Sequence, residues 1–219
     1  MCGRFAITLP SDAMAQLFDA KPTNNLPDVP NFNVCPTNLI HVITADQFGR
    51  KLESIRWGFV PVWYKKINAG PLLINARSET LANKPAFAKA CRHRRCLIPC
   101  FGFYEWSLDN QEKKIPWFVK RQDNEPLVFG GVWEEWSSES EKIKTCAIVT
   151  TPSNRSMSAI HHRLPLILEK NQWGFWLGEK GHGASALMRP TDDKTLTTHK
   201  VSLAINSNKS VGPELINPV

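Results

Sequence analysis

An α+β fold, a single domain of mostly antiparallel short strands in a curled, barrel-like sheet with a few flanking helices, is what this 219-residue chain predicts. Three observations lead there. The stretch from residue 96 to residue 150 is a succession of short apolar or alternating runs, the period of strands. Turn-forming pairs, Asp109-Asn110 and Asp123-Asn124, punctuate those runs. Helical periodicity is confined to a few brief segments. No internal repeat or long linker divides residues 1–219, and the length suits one substantial core.

In chain order, Ser11–Phe18 sets Ala13, Met14, Leu17 and Phe18 on one face with Ser11 as N-cap, which predicts a short helix. Residues 19–38 are rich in Pro and Asn and read as a packed loop. Leu39–Thr44 and Lys51–Trp57 read as strands joined by a polar turn around Gly49. Pro61–Pro71 reads as a loop carrying Trp63, Tyr64, Lys65 and Lys66. Pro85–Arg92 predicts a second helix with proline in its first turn. Strands are expected at Cys96–Pro99, Phe103–Ser107, Trp117–Arg121, Leu127–Trp133 and Lys144–Thr150, with Ser137–Lys142 as an exposed hairpin tip. Leu164–Leu168 reads as a further strand, Glu169–Leu177 and Ala184–Met188 as helices, and Asn206–Val219 as a loop-like tail.

Composition narrows the function. Apolar residues at 42% and charged residues at 21% are ordinary for a soluble globular protein. The formal charge of +7 points to an anionic partner, nucleic acid being the commonest. Pro10, Ser11 and Asp12 interrupt any early apolar run of the signal-peptide kind, and nothing approaches the roughly 18 apolar residues that span a bilayer. The expectation is therefore a reducing, cytoplasmic setting, nucleoid-associated in a bacterium, with free thiols. Cys91, Cys96 and Cys100 with His93 nearby lack the paired spacing of a zinc site and read as buried structural thiols, so no metal and no organic cofactor is expected.

Four places set polar side chains where an apolar run should continue. Asn75, Arg77 and Glu79 follow Leu72-Leu73-Ile74; a solvated strand end accounts for them equally well. Glu105 sits among aromatics in Phe103-Tyr104-Glu105-Trp106. Buried there, it would be a general acid or base near neutrality; on a wet strand face it would be an ordinary carboxylate, and the motif alone does not choose. His161 and His162 are adjacent, project in different directions and so do not chelate one metal; one of them could shuttle a proton. Trp63-Tyr64-Lys65-Lys66 interleaves aromatics with cations, which suits single-stranded nucleic acid as well as it suits a loop packed down by Trp63.

Cys2 is the most informative single residue. It follows Met1, and a small second residue permits methionine removal. A free α-amine (about 7.7–8.0) and a thiol (about 8.5) then share one carbon skeleton. The amine condenses with an aldehyde to an imine, and the thiol closes on the imine carbon to a five-membered thiazolidine. No internal cysteine can do this.

Met1-Cys2-Gly3-Arg4-Phe5, Asn33-Val34-Cys35-Pro36-Thr37, Arg56-Trp57-Gly58-Phe59-Val60-Pro61, Ile74-Asn75-Ala76-Arg77-Ser78-Glu79-Thr80, Arg95-Cys96-Leu97-Ile98-Pro99, Gly102-Phe103-Tyr104-Glu105-Trp106 and Ile160-His161-His162-Arg163 occur in that order. Together they closely resemble the SRAP (SOS-response-associated peptidase) family over essentially the whole chain. The resemblance implies covalent shielding of abasic sites in single-stranded DNA by a thiazolidine cross-link from Cys2. It implies catalytic parts for Cys2, Asn75, Glu105 and His161: Asn75 orients the N-terminus or the sugar, Glu105 moves protons during ring opening and imine formation, and His161 serves as acid or base. It implies a DNA path of Gly3, Arg4, Pro36, Trp63, Tyr64, Arg77, Thr150 and Arg163, with the arginines on phosphates and the aromatics stacked beside the lesion.

Two residues depart from the family pattern. Cys35 stands in place of the usual alanine, and His162 in place of the usual Asp or Asn; a one-residue slip of frame would make His162 the shuttle. The partner implied is single-stranded DNA with abasic sites, with no membrane; the replication machinery is a further partner class, and one lesion needs only a monomer. Two readings compete: a cysteine peptidase or amidohydrolase with Cys2 as N-terminal nucleophile that removes its own Met1, and a non-catalytic basic DNA reader.

Overall fold

A computed structural model describes residues 2–23 and 25–219. Its strands are β1 (Phe5–Ile7), β2 (Ala20–Pro22), β3 (Asn31–Val34), β4 (Leu39–Asp46), β5 (Gly49–Trp57), β6 (Asn75–Arg77), β7 (Arg95–Cys100), β8 (Gly102–Leu108), β9 (Lys114–Arg121), β10 (Leu127–Ser137), β11 (Lys142–Pro152), β12 (Arg163–Pro165) and β13 (Leu196–Lys200). Its helices are α1 (Ser11–Phe18), α2 (Pro85–His93) and α3 (Trp173–Leu177), with four short 3-10 turns. The α+β class and the barrel-like curl are both as the sequence predicts.

Curling follows from one pairing. β11, β10, β7, β4 and β5 are joined in antiparallel succession, and β5 returns to β11 in parallel, Thr145 opposite Arg56 and Cys146 opposite Trp57. That last ladder closes the ring and removes two sheet edges that would otherwise be open to other chains. Val42, Leu52, Trp57, Cys96, Phe129 and Cys146 are fully buried within the same core. β6 joins the outer part of β11 in parallel, setting Ile148 opposite Asn75 and Thr150 opposite Arg77.

A second sheet runs β13-β9-β8-β1-β3 and has a different partner on each face. Alternation along β1 sends Phe5 and Ile7 into the barrel-side core and Ala6 into a smaller cluster with Tyr104, Phe118, Val201, Ile205 and Leu215. In β8, Phe103 takes the barrel side and Tyr104 the other. Period two therefore returns Glu105 to the barrel side, the side of the core that holds Cys2.

The backbone passes close to its neighbours at Gly102. A Cβ there would meet the Phe118 ring and lie 2.6 Å from the Val119 carbonyl oxygen, a backbone atom that cannot turn aside. Gly102→Ala is expected to cost about 3 kcal/mol, the upper end of overpacking, measurable as a lower urea midpoint at unchanged m-value.

Several local expectations change. Pro10, not Ser11, stands at the N-cap of α1, and Ser11 Oγ lies 3.2 Å from His41 Nε2. Residues 19–38, read as a loop, contain β2 and β3, each held by a partner remote in sequence. The helix expected over Glu169–Leu177 divides into a 3-10 turn, Lys170–Gln172, and the five-residue α3. Ala184–Leu187 is a 3-10 turn, because Gly183 before it has φ of 139° and the run is too short to propagate. The tail packs against the second sheet through Ile205 and Leu215. All six cysteines are buried and unbridged. No described helix is long and apolar enough to cross a membrane.

Candidate active site

Cys2 enters the core immediately before β1 and is fully buried, its Sγ 3.9 Å from the Arg4 carbonyl oxygen. Asn75, on the first position of β6, donates from Nδ2 to the Cys2 carbonyl oxygen at 2.8 Å. The Asn75 Oδ1 is buried with no hydrogen-bond partner among the described residues. Alternation along β6 buries Ala76 and sends Asn75 and Arg77 to the opposite face, Arg77 at the exposed rim.

Glu105 is 2% exposed, which decides between its two sequence readings. Burial disfavours the charged form and pushes its carboxyl above the ordinary carboxylate range. The same burial, reinforced by the nearby Glu105 charge, raises the Cys2 thiol well above its ordinary value. A thiol held so firmly protonated needs a base at the moment it attacks, and Glu105 is close enough to be felt.

His161 is half-buried and His162 exposed; their rings stack at 4.4 Å with 23° between planes. The Arg163 backbone N–H donates to His161 Nδ1 at 3.0 Å. Arg163's carbonyl oxygen also lies 3.3 Å from that nitrogen, but an amide N–H can only donate, so Nδ1 is the acceptor and Nε2 carries the neutral ring's proton. Burial lowers the His161 pKa to about 4, with the His162 charge acting in the same direction. His161 is therefore a neutral imidazole throughout the physiological range.

Arg163 is 7% exposed. Its Nη2 donates to the Thr150 carbonyl oxygen at 2.7 Å and to Glu79 Oε2 at 2.9 Å, and its Nη1 to Glu79 Oε1. Those bonds hold the Glu79 carboxyl down, to about 2. The Thr150 carbonyl also accepts from the Ser78 N–H at 2.8 Å.

The expected DNA-path residues divide by exposure. Gly3 and Pro36 are half-buried, and Trp63 is 55% exposed. Thr37, next to Pro36, donates its N–H to the Trp57 carbonyl at 2.7 Å, and Trp57 Nε1 donates to the Ile74 carbonyl at 2.9 Å, next to Asn75. The Trp63 loop is closed at its base by a Phe59–Leu73 bridge, two residues before Asn75, and tied at its far side by Trp136 Nε1 to the Tyr64 carbonyl at 2.7 Å.

Arg4 differs from the expected surface cation. Alternation sends it to the face away from Phe5, where Nη1 donates to Asn33 Oδ1 at 2.6 Å and the Ile205 carbonyl at 3.0 Å, and Nη2 to Asn208 Oδ1 at 2.5 Å. It ties the first strand to the tail. Thr150 has no exposed surface, so any part it has in holding DNA passes through Arg163. Glu79, quoted in its motif but given no part, is the residue that sequence reasoning missed; the alternation Asn75, Arg77, Glu79 was its only signal. A cleft of ≈ 1150 Å³ begins at Ser78 and Glu79 and runs past Arg92, His93 and Arg189.

A family model described as SOS response associated peptidase (SRAP) matches residues 1–208. The chain is 36% identical over 223 residues to the abasic site processing protein YoqW of Bacillus subtilis, covering 99% of each. It is 28% identical over 227 residues to the abasic site processing protein YedK of Escherichia coli, covering 100% of each. A crystal structure of a Bacteroides thetaiotaomicron protein superposes with a TM-score of 0.87 at 21% identity, both chains fully covered, which shows the shared fold.

Proposed function

The chain belongs to the SOS response associated peptidase (SRAP) family, and on that premise we propose that it processes abasic sites by capturing them in single-stranded DNA through Cys2. The observation that carries this reading is the setting of Cys2: buried, held by Asn75 at its carbonyl, with a buried carboxylate beside its thiol. The relatives' names, abasic site processing proteins, point the same way.

The chemistry begins once Met1, which lies outside the described residues, has been removed. Glu105 passes a proton from the sugar's anomeric hydroxyl to its ring oxygen, opening the ring to the aldehyde. The Cys2 amine adds to that carbonyl and water leaves, giving the imine. The Cys2 thiol then adds to the imine carbon as its proton passes to the nitrogen, so the balance is one water lost. Asn75 Oδ1 accepts from the freed amine, and His161 Nε2–H donates a hydrogen bond to the sugar's ring oxygen while Glu105 delivers the proton. Arg77 neutralises a flanking phosphate, and cations along the cleft continue that path. Trp63 stacks on a base beside the lesion.

Mixing the processed protein with an oligonucleotide bearing one abasic site should give a denaturant-resistant adduct whose intact mass is the sum of both less one water. Adduct no greater than with undamaged DNA would sink the reading. Trp63→Ala should weaken non-covalent binding by about 1–3 kcal/mol, roughly 5- to 150-fold, read by fluorescence anisotropy at fixed salt. It should leave the thermal midpoint unchanged, since Trp63 is exposed.

A further inference from the structure

The path from His161 back to Glu79 involves a residue with no assigned part. We infer that Glu79 is a positioning residue: its carboxylate holds the Arg163 guanidinium against Thr150, so that the Arg163 backbone N–H stays aimed at His161 Nδ1 and fixes the ring with its proton on Nε2. This rests on the proposed reading of the site, in which His161 Nε2–H hydrogen-bonds the sugar's ring oxygen.

The geometry is specific. Both Glu79 oxygens accept from separate Nη nitrogens of Arg163, the planar two-point match that an arginine makes with a carboxylate. One of those nitrogens also donates to the Thr150 carbonyl, which accepts in addition from Ser78, the residue before Glu79. β6, β11 and β12 are thus joined at one point where β12 begins. Arg163 is the first residue of that strand, paired with Pro152, and its N–H is the one that reaches His161. With the side chain held, the turn from His161 to Arg163 cannot rotate without breaking the Glu79 and Thr150 bonds together. Beside the N-terminal amine, the charges bearing on the ring include His162, stacked on it, and Arg163, whose charge Glu79 offsets.

Glu79 is largely at the surface, its side chain 45% exposed, so Glu79→Ala should fold, which circular dichroism checks. Two measurements follow. In ¹⁵N NMR of histidine-labelled protein near pH 7, His161 in the parent should show the single Nε2–H tautomer, and in Glu79→Ala should become a mixture of both neutral tautomers, because the loosened turn releases Nδ1. In single-turnover cross-linking to an abasic oligonucleotide, the maximal rate should fall about 10- to 100-fold while the half-saturating DNA concentration holds, the pattern of a misplaced group. Glu79→Gln, which keeps the shape and one acceptor, should fall between. An unchanged His161 tautomer signal overturns the inference. So does tighter DNA binding at an unchanged maximal rate, which would make Glu79 a stand-in for a DNA phosphate on Arg163. If the parent forms no adduct, the proposed function fails, while the tautomer signal still decides the coupling of Glu79 to His161.

Discussion

Cys2→Ser abolishes the denaturant-resistant adduct while leaving non-covalent binding to single-stranded DNA in place. Serine is nearly isosteric, so the strand entry before β1 and the Asn75 bond to the backbone carbonyl survive. What is lost is the second bond. The variant's terminal amine still forms an imine, but a hydroxyl in this buried setting is a poor nucleophile, and the oxygen ring reverts readily. The variant should therefore give adduct only after borohydride trapping, read by denaturing gel and intact mass. A variant that retained stable adduct without reductant would place the linkage elsewhere. The same substitution separates the hydrolase alternative, since a serine at an N-terminal nucleophile position retains hydrolysis in many enzymes of that type.

Glu105→Gln should slow adduct formation by about 10²- to 10⁴-fold, the usual contribution of a positioned acid–base group, with little change in DNA affinity. It should also make the protein more stable, and the sign follows from burial. The folded carboxyl lies above its ordinary 4.5. Between those two values the folded chain binds more protons than the unfolded one, so stability falls as pH rises through the window. Glutamine is neutral throughout and escapes that fall. The thermal midpoint of the variant should match the parent's in mild acid and exceed it at pH 8, by differential scanning calorimetry. A variant less stable than the parent at pH 8 would show that the carboxylate is a net structural support.

Much of this architecture was legible from local pattern. The helix Ser11–Phe18 and the start of α2 at Pro85 appear where periodicity and proline put them, because both are decided within a few residues. β1, β2, β3 and β13 were not seen, and the strand read at Leu72-Leu73-Ile74 lies three residues further on, as β6. Each has three to five residues, too few for alternation to register, and each exists only through a partner far along the chain. The site shows the same division. The motifs single out Cys2, Asn75, Glu105 and His161, but that Glu105 is buried could not be read from them, since its aromatic neighbours are compatible with either face. Once Phe103 is known to face the barrel, strand parity decides it. Parity also takes Arg4 to the far side of the sheet, where a basic residue beside Cys2 in sequence becomes an internal tie. Glu79 escaped because its importance lies in Arg163, 84 residues away.

The Arg4 tie has a mechanical consequence. A strand of DNA attached at Cys2 would be a tether, and tension on it would pass through Gly3 into β1, which lies between β8 and β3 rather than at an edge. The pull runs along the strand, so its ladder bonds on both sides are loaded in shear and resist together instead of unzipping one by one. Arg4 adds a cleat behind them, hooked to Asn33, Ile205 and Asn208. A polymerase or helicase straining against the attached strand would thus be hauling on the last turns of the chain as well as the first.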